Sequence, residues 1–331
     1  MRIAVLGAGA WGTALAIGLS ANPSHQVALW VRNPGHLAEL VSQRINRRYF
    51  PDFFLPDSLE LTSTLDAAVE TAELALIVVS IAGLRETLRG IVACGKAVPV
   101  VWGCKGFEEK SAKLPHQVAK DEYAGLAPYG VLSGPSFAQE VAQGLPTALT
   151  LASHDEGFAR SIAAQLHTSR LRVYSSGDIV GVETGGAIKN VISIAAGISD
   201  GMGFGYNARA ALVTRGLAEI TRLGLKLGGC METFMGLTGV GDLILTCTGD
   251  LSRNRRVGLM LAAGHPLPYI LKELGHTAEG VHTSREVLRL SRELKIEMPI
   301  TQAICSILHE GVPARVAVEA LLNREPKIEN Y

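Results

Sequence analysis

The chain has 331 residues, 47% apolar and 19% charged, with 31 basic side chains balanced by 31 acidic ones. That length exceeds one ordinary core and predicts two domains, and the composition is that of a globular protein, not a disordered one. A zero formal charge without a basic run gives no footing to nucleic acid or an anionic membrane, and the longest apolar run, residues 74–79, is far too short to span a bilayer.

The chain opens on an apolar run, Ile3-Ala4-Val5-Leu6, that leads into Gly7-x-Gly9-x-x-Gly12 and then a helix of small residues. A tight turn requires Gly7, close approach of a pyrophosphate to the backbone requires Gly9, and helix–strand packing requires Gly12. The N-terminus of the helix adds free N–H groups and a positive dipole end. Strand, glycines and helix in this order read as a dinucleotide site rather than a signal peptide. Trp11 sits inside this loop, placed either to cover the pyrophosphate or to pack on the helix.

Strand-like and helix-like segments then alternate. Residues 25–31 read as a strand, 34–46 as a helix, 74–80 as a fully apolar strand and 83–93 as a helix; further strands follow at 98–104, 129–134, 147–153 and 171–176. Short apolar strands joined by helical crossovers predict a parallel, doubly wound sheet buried on both faces. From residue 179 long helical patterns take over, as in 182–198, 208–228 and 284–294. The expected fold is thus α/β: a Rossmann-type sheet domain over residues 1–180, then an all-α domain over 181–331. The active site belongs in the cleft between them, at the carboxyl ends of the strands.

The second strand ends in Val31-Arg32-Asn33. An NAD-specific site carries an acidic residue there for the ribose 2′-hydroxyl, whereas an arginine suits a 2′-phosphate. Arg32 therefore favours NADP(H), or use of both NADP and NAD, unless it is simply a solvated loop residue.

Four segments carry candidate chemistry. Lys189-Asn190 lies in an otherwise apolar or small-residue helix, with Ala187, Ile188, Val191 and Ile192 around it. A lysine in such surroundings has a partner, a task or a route to water, and desolvation lowers its pKa toward the range useful for general acid–base work. Lys105 follows the strand 98–104, and Gly134 and Ser136 follow the strand 129–134; both are places where ligand contacts collect in open sheets. Asp242, Thr246, Ser252, Arg253 and Asn254 then fall within one short stretch. Its donors match phosphate oxygens, and Asp250 or Ser252 also reads as a helix cap; a helix N-terminus serves both ends. Asp242 among them is suited to orient a hydroxyl or a lysine ammonium. Glu279, in a turn before the helix 284–294, means little by itself. The five cysteines (Cys94, Cys104, Cys230, Cys247 and Cys305) form no CxxC and read as reduced thiols of a cytoplasmic protein, and the scattered histidines offer no metal site.

Taken in order, GAGAWGTALA, the LWVRNP strand end, INRRYFPDFFLP, WGCKGFE, SGPSFAQEVA, VE-x5-KN, SDGMGFGYNARAALVTRG, GVGDLILTC, LSRNRR, AEGV and EMPI cover nearly the whole chain. Together they resemble the NAD(P)-dependent glycerol-3-phosphate dehydrogenases of the bacterial type. The resemblance implies hydride transfer between NAD(P)H and carbon 2 of dihydroxyacetone phosphate, giving sn-glycerol 3-phosphate for glycerophospholipid synthesis, in a cytoplasmic homodimer. It implies that Lys189 moves the proton, that Lys105 serves substrate and cofactor, and that Gly134, Ser136, Asn190, Asp242, Thr246, Ser252, Arg253 and Asn254 lie at the substrate. It further implies cofactor contacts from Trp11, Arg32, Ala138, Arg253 and Glu279. Two positions depart from the family pattern: Ala10 replaces a frequent Ser, removing one phosphate hydrogen bond, and Asp52 replaces a frequent loop Gly. The competing readings are a β-hydroxyacid or 6-phosphogluconate-type dehydrogenase, whose substrates carry a carboxylate, and a dinucleotide sensor without chemistry.

Overall fold

The computed structural model describes residues 1–275 and 278–325; His276, Thr277 and residues 326–331, the last at the end of the predicted helical domain, lie outside the described residues. The first part runs β1 (Arg2–Leu6), α1 (Ala10–Ser20), β2 (Gln26–Trp30), α2 (Pro34–Gln43), β3 (Glu60–Thr62), α3 (Leu65–Val69), β4 (Leu74–Ile77) and α4 (Ile81–Ala93). It continues through β5 (Val100–Trp102), α5 (Pro115–Tyr123), β6 (Tyr129–Ser133), α6 (Ala138–Ala142), β7 (Thr147–Ala152), α7 (Glu156–Leu166) and β8 (Leu171–Ser176). The second part holds α8 (Ile179–Gly201), α9 (Gly205–Lys226), α10 (Met231–Phe234), a π-helical turn (Leu237–Gly241), α11 (Asp242–Thr248) and α12 (Arg253–Ala262). Helices α13 (Leu267–Leu274), α14 (Glu279–Glu293), α15 (Pro299–His309) and α16 (Ala314–Leu322) follow.

The eight strands form one sheet in the order β3-β2-β1-β4-β5-β6-β7-β8. The order reverses between β1 and β4, and a crevice opens at the carboxyl ends on either side of such a reversal. The glycine loop leaves β1 there. The sheet is mixed and not wholly parallel as expected: β7 runs antiparallel to β6, with Leu132 opposite Leu151. An antiparallel neighbour needs no full crossover helix, and the link from β6 to β7 carries only the five-residue α6. Strand β3 escapes the apolar-run criterion because its three residues, Glu60-Leu61-Thr62, lie at the sheet edge and are partly exposed.

The local chemistry accounts for the helix ends. Asn33 caps α2 by accepting from His36 N (3.0 Å), with Pro34 in the first turn. Asp155 caps α7 and Asp178 caps α8 in the same manner. Helix α2 stops at Gln43, short of the predicted 46, because Arg44 adopts a left-handed backbone (φ 51). Helix α8 is long and apolar enough to cross a membrane by composition, yet 94% of its most apolar stretch is buried within the protein. It is the axle of the second domain: α9, α11, α12, α14 and α15 pack around it. Burying each Ile or Val along it contributes about 1.5–3 kcal/mol, which explains why an apolar segment of this length is a core helix here.

Candidate active site

The predicted site residues fall into two walls, one at the glycine loop and one where α8 meets the sheet. The first is built from backbone. Gly7 has φ 124, and a Cβ there would lie 2.8 Å from the Val78 carbonyl at the end of β4. At Gly12 a Cβ would come within 1.9 Å of the Gly7 carbonyl, so strand and helix touch only because that atom is missing. Gly9 is different: its missing Cβ would meet open space. The floor of the loop is closed while its mouth above Gly9 is clear, and the α1 N-terminus opens onto that space with Gly9 as its extended cap residue. This is the cradle that a pyrophosphate fits.

The indole of Trp11 is half-buried, packs with Ala14, Phe50 and Val141, and lies against Gly103 at the end of β5. Ala138, at the start of α6, belongs to the same apolar cluster beside the loop mouth. Asn46 buttresses the loop from behind, its Nδ2 donating to Ala8 O (3.2 Å) and Thr13 Oγ1 (2.8 Å). Sequence reading missed Asn46, because a polar residue just past a helix end carries no signal of a partner more than thirty positions away. Arg32 stands at the edge of this wall, its side chain 75% exposed and 3.9 Å from Glu86.

The second wall is built from charge. Lys189 is 7% exposed, so its ammonium does not reach water by snorkelling; it donates to Asp242 Oδ1 (2.5 Å) and Thr246 Oγ1 (2.8 Å). Lys105 Nζ donates to the other oxygen of Asp242 (2.7 Å). One buried carboxylate therefore bridges a lysine from the sheet domain and a lysine from α8. Burial pulls the Lys189 pKa down most, Asp242 holds it up and Lys105 lowers it again, leaving it at about 8 instead of 10.5. Burial favours the protonated form of Asp242, but the two ammonium groups outweigh it and hold the carboxyl below its usual range.

Glycines let these elements meet. A Cβ on Gly185 would lie 2.6 Å from the Thr238 carbonyl in the π-helical turn that leads into Asp242, and one on Gly186 would lie 3.1 Å from Ser133 Oγ, with the Lys105 stem in contact beside it at 3.6 Å. Asn190 extends the cluster: Asn254 Nδ2 donates to Asn190 Oδ1 (3.0 Å), Asn254 Oδ1 accepts from Gly280 N (3.1 Å), and Asn190 Nδ2 lies 3.4 Å from Glu279 Oε2. Glu279 does not sit in a turn as expected but opens α14, half-buried. Burial raises its pKa, against the pull of Arg253, Lys105 and Lys189.

The remaining predicted residues are placed as follows. Ser252, and not Asp250, caps α12; its Oγ accepts from Arg255 N (3.2 Å) and lies 3.0 Å from Ser193 Oγ, so the hydroxyl faces the protein. Asp250 instead pairs with Arg255 (2.9 Å). Arg253 is exposed at the first helical position of α12, and Ser136 Oγ donates to Gly134 O (3.1 Å) beyond β6. A buried tie that sequence reading did not single out joins α8 to the sheet domain: Glu183 on α8 accepts from Trp102 Nε1 (2.8 Å), His116 N (2.9 Å) and His116 Nδ1 (2.6 Å). The signal was available, since Glu183 is a charged residue in an apolar helix just as Lys189 is. All five cysteines are free thiols, and among the described residues no cluster of His, Cys, Asp or Glu is arranged to hold a metal ion.

Residues 2–159 match the family described as NAD-dependent glycerol-3-phosphate dehydrogenase N-terminus, and residues 178–319 match its C-terminus. A glycerol-3-phosphate dehydrogenase [NAD(P)+] of Nitrosospira multiformis is 77% identical over 333 residues, covering 100% of both chains. The chain belongs to the NAD(P)-dependent glycerol-3-phosphate dehydrogenase family. A crystal structure of the Coxiella burnetii glycerol-3-phosphate dehydrogenase superposes with a TM-score of 0.93 at 42% identity, covering 98% of this chain and 99% of that one. A glycerol-3-phosphate dehydrogenase from Saccharomyces cerevisiae aligns with a TM-score of 0.81 at 27% identity over 96% and 98% of the two chains. A D-mandelate dehydrogenase structure with NADH, at 15% identity and a TM-score of 0.62, shares the fold alone. Membership of this dehydrogenase family makes the chain an oxidoreductase acting on a CH–OH group with NAD or NADP, and the open cradle above Gly9 fits such a cofactor.

Proposed function

We propose that the protein interconverts dihydroxyacetone phosphate and sn-glycerol 3-phosphate, with Lys189 as the proton donor and acceptor. The observation that carries this reading is the buried Lys189–Asp242–Lys105 cluster at the domain cleft. The dinucleotide belongs mainly to residues 1–180, through Gly7, Gly9, Trp11, Gly12, Arg32, Lys105 and Ala138, with Arg253 and Glu279 reaching in from the helical domain. The substrate belongs mainly to 181–331, through Lys189, Asn190, Asp242, Thr246, Ser252, Arg253 and Asn254, with Lys105, Gly134 and Ser136 reaching in from the sheet.

When bound, the nicotinamide supplies or accepts the hydride. The chain's task is placement, charge stabilisation and one proton. Arg253, exposed at the first turn of α12, is free to turn onto the substrate phosphate, and the neighbouring N–H groups of the helix end suit the same anion. An anchored phosphate holds carbon 2 in one place, an entropic contribution of several kcal/mol. As negative charge grows on the C2 oxygen, the Lys189 ammonium stabilises it and gives up its proton, a role worth roughly 10²–10⁴-fold. In the other direction the neutral amine accepts the hydroxyl proton. Asp242 keeps two ammonium groups tolerable in one buried place, and Thr246 fixes the direction of the Lys189 head.

An exposed Arg32 at the end of β2 supports a preference for NADP(H). The family resemblance supports a cytoplasmic homodimer, paired through the helical domain, that makes glycerol 3-phosphate for phospholipid synthesis. The test is NADPH oxidation with dihydroxyacetone phosphate set against keto acids, with NADH in parallel. Turnover with the phosphate substrate is expected. Turnover with keto acids alone would favour a carboxylate-reducing enzyme, and binding without turnover would favour a sensor.

A further inference from the structure

Ser133, the last residue of β6, is 4% exposed, and its Oγ has no hydrogen-bond partner among the described residues. A buried hydroxyl left unpaired costs free energy, so such a group calls for a ligand. Its surroundings say which. A Cβ on Gly186 would lie 3.1 Å from Ser133 Oγ and 3.6 Å from Cγ and Cδ of Lys105, so hydroxyl and lysine stem flank the same bare spot on α8. Alternation along β6 agrees: Val131, two residues earlier on the same face, packs in the cluster that contains Val182 of α8.

Helix α8 supplies the ruler. Asn190, bonded to Asn254, marks the end where the phosphate is anchored, and Lys189 is its neighbour. Gly186, beside Ser133 and Lys105, lies one turn nearer the N-terminus, about 6 Å away along the axis. A three-carbon phosphate ester laid along that turn with its carbonyl at Lys189 brings its free hydroxymethyl group to Gly186, where the Ser133 hydroxyl, 3.1 Å from a Cβ at that point, must draw back to admit it.

We propose that the Ser133 hydroxyl is a substrate contact, hydrogen-bonded to the C1 hydroxyl of dihydroxyacetone phosphate, and that it helps to select a substrate with a free hydroxymethyl group. This rests on the function proposed above. It gives the orphaned hydroxyl a partner and adds to the site a polar contact at the end opposite the phosphate. A pocket built to pair a substrate hydroxyl rejects an analogue without it, because its own polar group is then left unpaired.

The test compares dihydroxyacetone phosphate with acetol phosphate, in which the C1 hydroxymethyl is a methyl group, for the unmodified chain, Ser133→Ala and Ser133→Cys. Cysteine fills the site with a poor donor in place of the hydroxyl and serves if the alanine variant folds badly, as read by its Tm. Either variant is expected to lose about tenfold in kcat/KM for dihydroxyacetone phosphate, the size of one buried hydrogen bond. Neither should change kcat/KM for acetol phosphate or the KM for NADPH by more than about twofold. Equal losses with both substrates, or no loss with either, would overturn the assignment. Failure of the unmodified chain to reduce dihydroxyacetone phosphate would instead strike the function on which it rests, and the assignment with it.

Discussion

The two walls of the candidate site are built by opposite means. Around the glycine loop the chain presents bare backbone: Gly7 and Gly12 are closed against their neighbours and Gly9 is left open. In the other wall, α8, α11 and the segment after β5 bring two lysines and an aspartate together in the dry interior. The first wall binds by shape and dipole and keeps no side-chain charge at its centre. The second concentrates charge where desolvation is strong enough to move a pKa into the working range. Binding a large anionic cofactor asks only for exposed N–H groups, whereas transferring a proton asks for a titrating group.

The largest effects should fall on the charged wall. Lys189→Ala is expected to lower turnover by roughly 10²–10⁴-fold, while dinucleotide affinity, read by fluorescence titration, stays within about twofold. A turnover loss below about tenfold would remove Lys189 from the chemistry. Asp242→Asn leaves two ammonium groups facing each other without their shared carboxylate. Its unfolding free energy in urea should fall by ~3–5 kcal/mol, the cost of breaking a buried ion pair from one side. Arg253→Ala should raise the KM for dihydroxyacetone phosphate by about tenfold, as expected for loss of a charge-assisted contact. If kcat fell alone, the phosphate anchor would lie elsewhere.

The backbone wall should respond more quietly and should divide within itself. Gly12→Ala forces a methyl group into the Gly7 carbonyl and should lower stability by about 1–3 kcal/mol, as overpacking does. Gly9→Ala should leave the melting temperature unchanged and weaken dinucleotide binding. Equal melting temperatures for the two variants would deny the difference between closed floor and open mouth.

That division also explains what was legible beforehand. The glycine loop can be read from the sequence because its parts are consecutive: strand, glycines and helix obey local rules. The charged wall can be read only as separate oddities. Lys189 stands out in an apolar helix, but nothing local says that Asp242, 53 positions on, is its partner, or that Lys105, 137 positions before Asp242, shares it. The antiparallel β7, the short edge strand β3 and the start of α14 at Glu279 escaped for the same reason, since pairing and packing across the fold decide them and not the local pattern. Ser252 was read at once as a cap and as a phosphate donor; its hydroxyl caps α12 and faces Ser193.

The most direct test of Lys189 as the proton carrier is the pH dependence of kcat/KM in both directions. Reduction of dihydroxyacetone phosphate needs the ammonium, and oxidation of glycerol 3-phosphate needs the amine. With the Lys189 pKa lowered to about 8, reduction should decline as pH rises through that value and oxidation should rise through the same value. Asp242→Asn, which removes the charge that holds the pKa up, should move both inflections to lower pH. Profiles of the same shape in both directions, or inflections that ignore Asp242, would contradict the assignment.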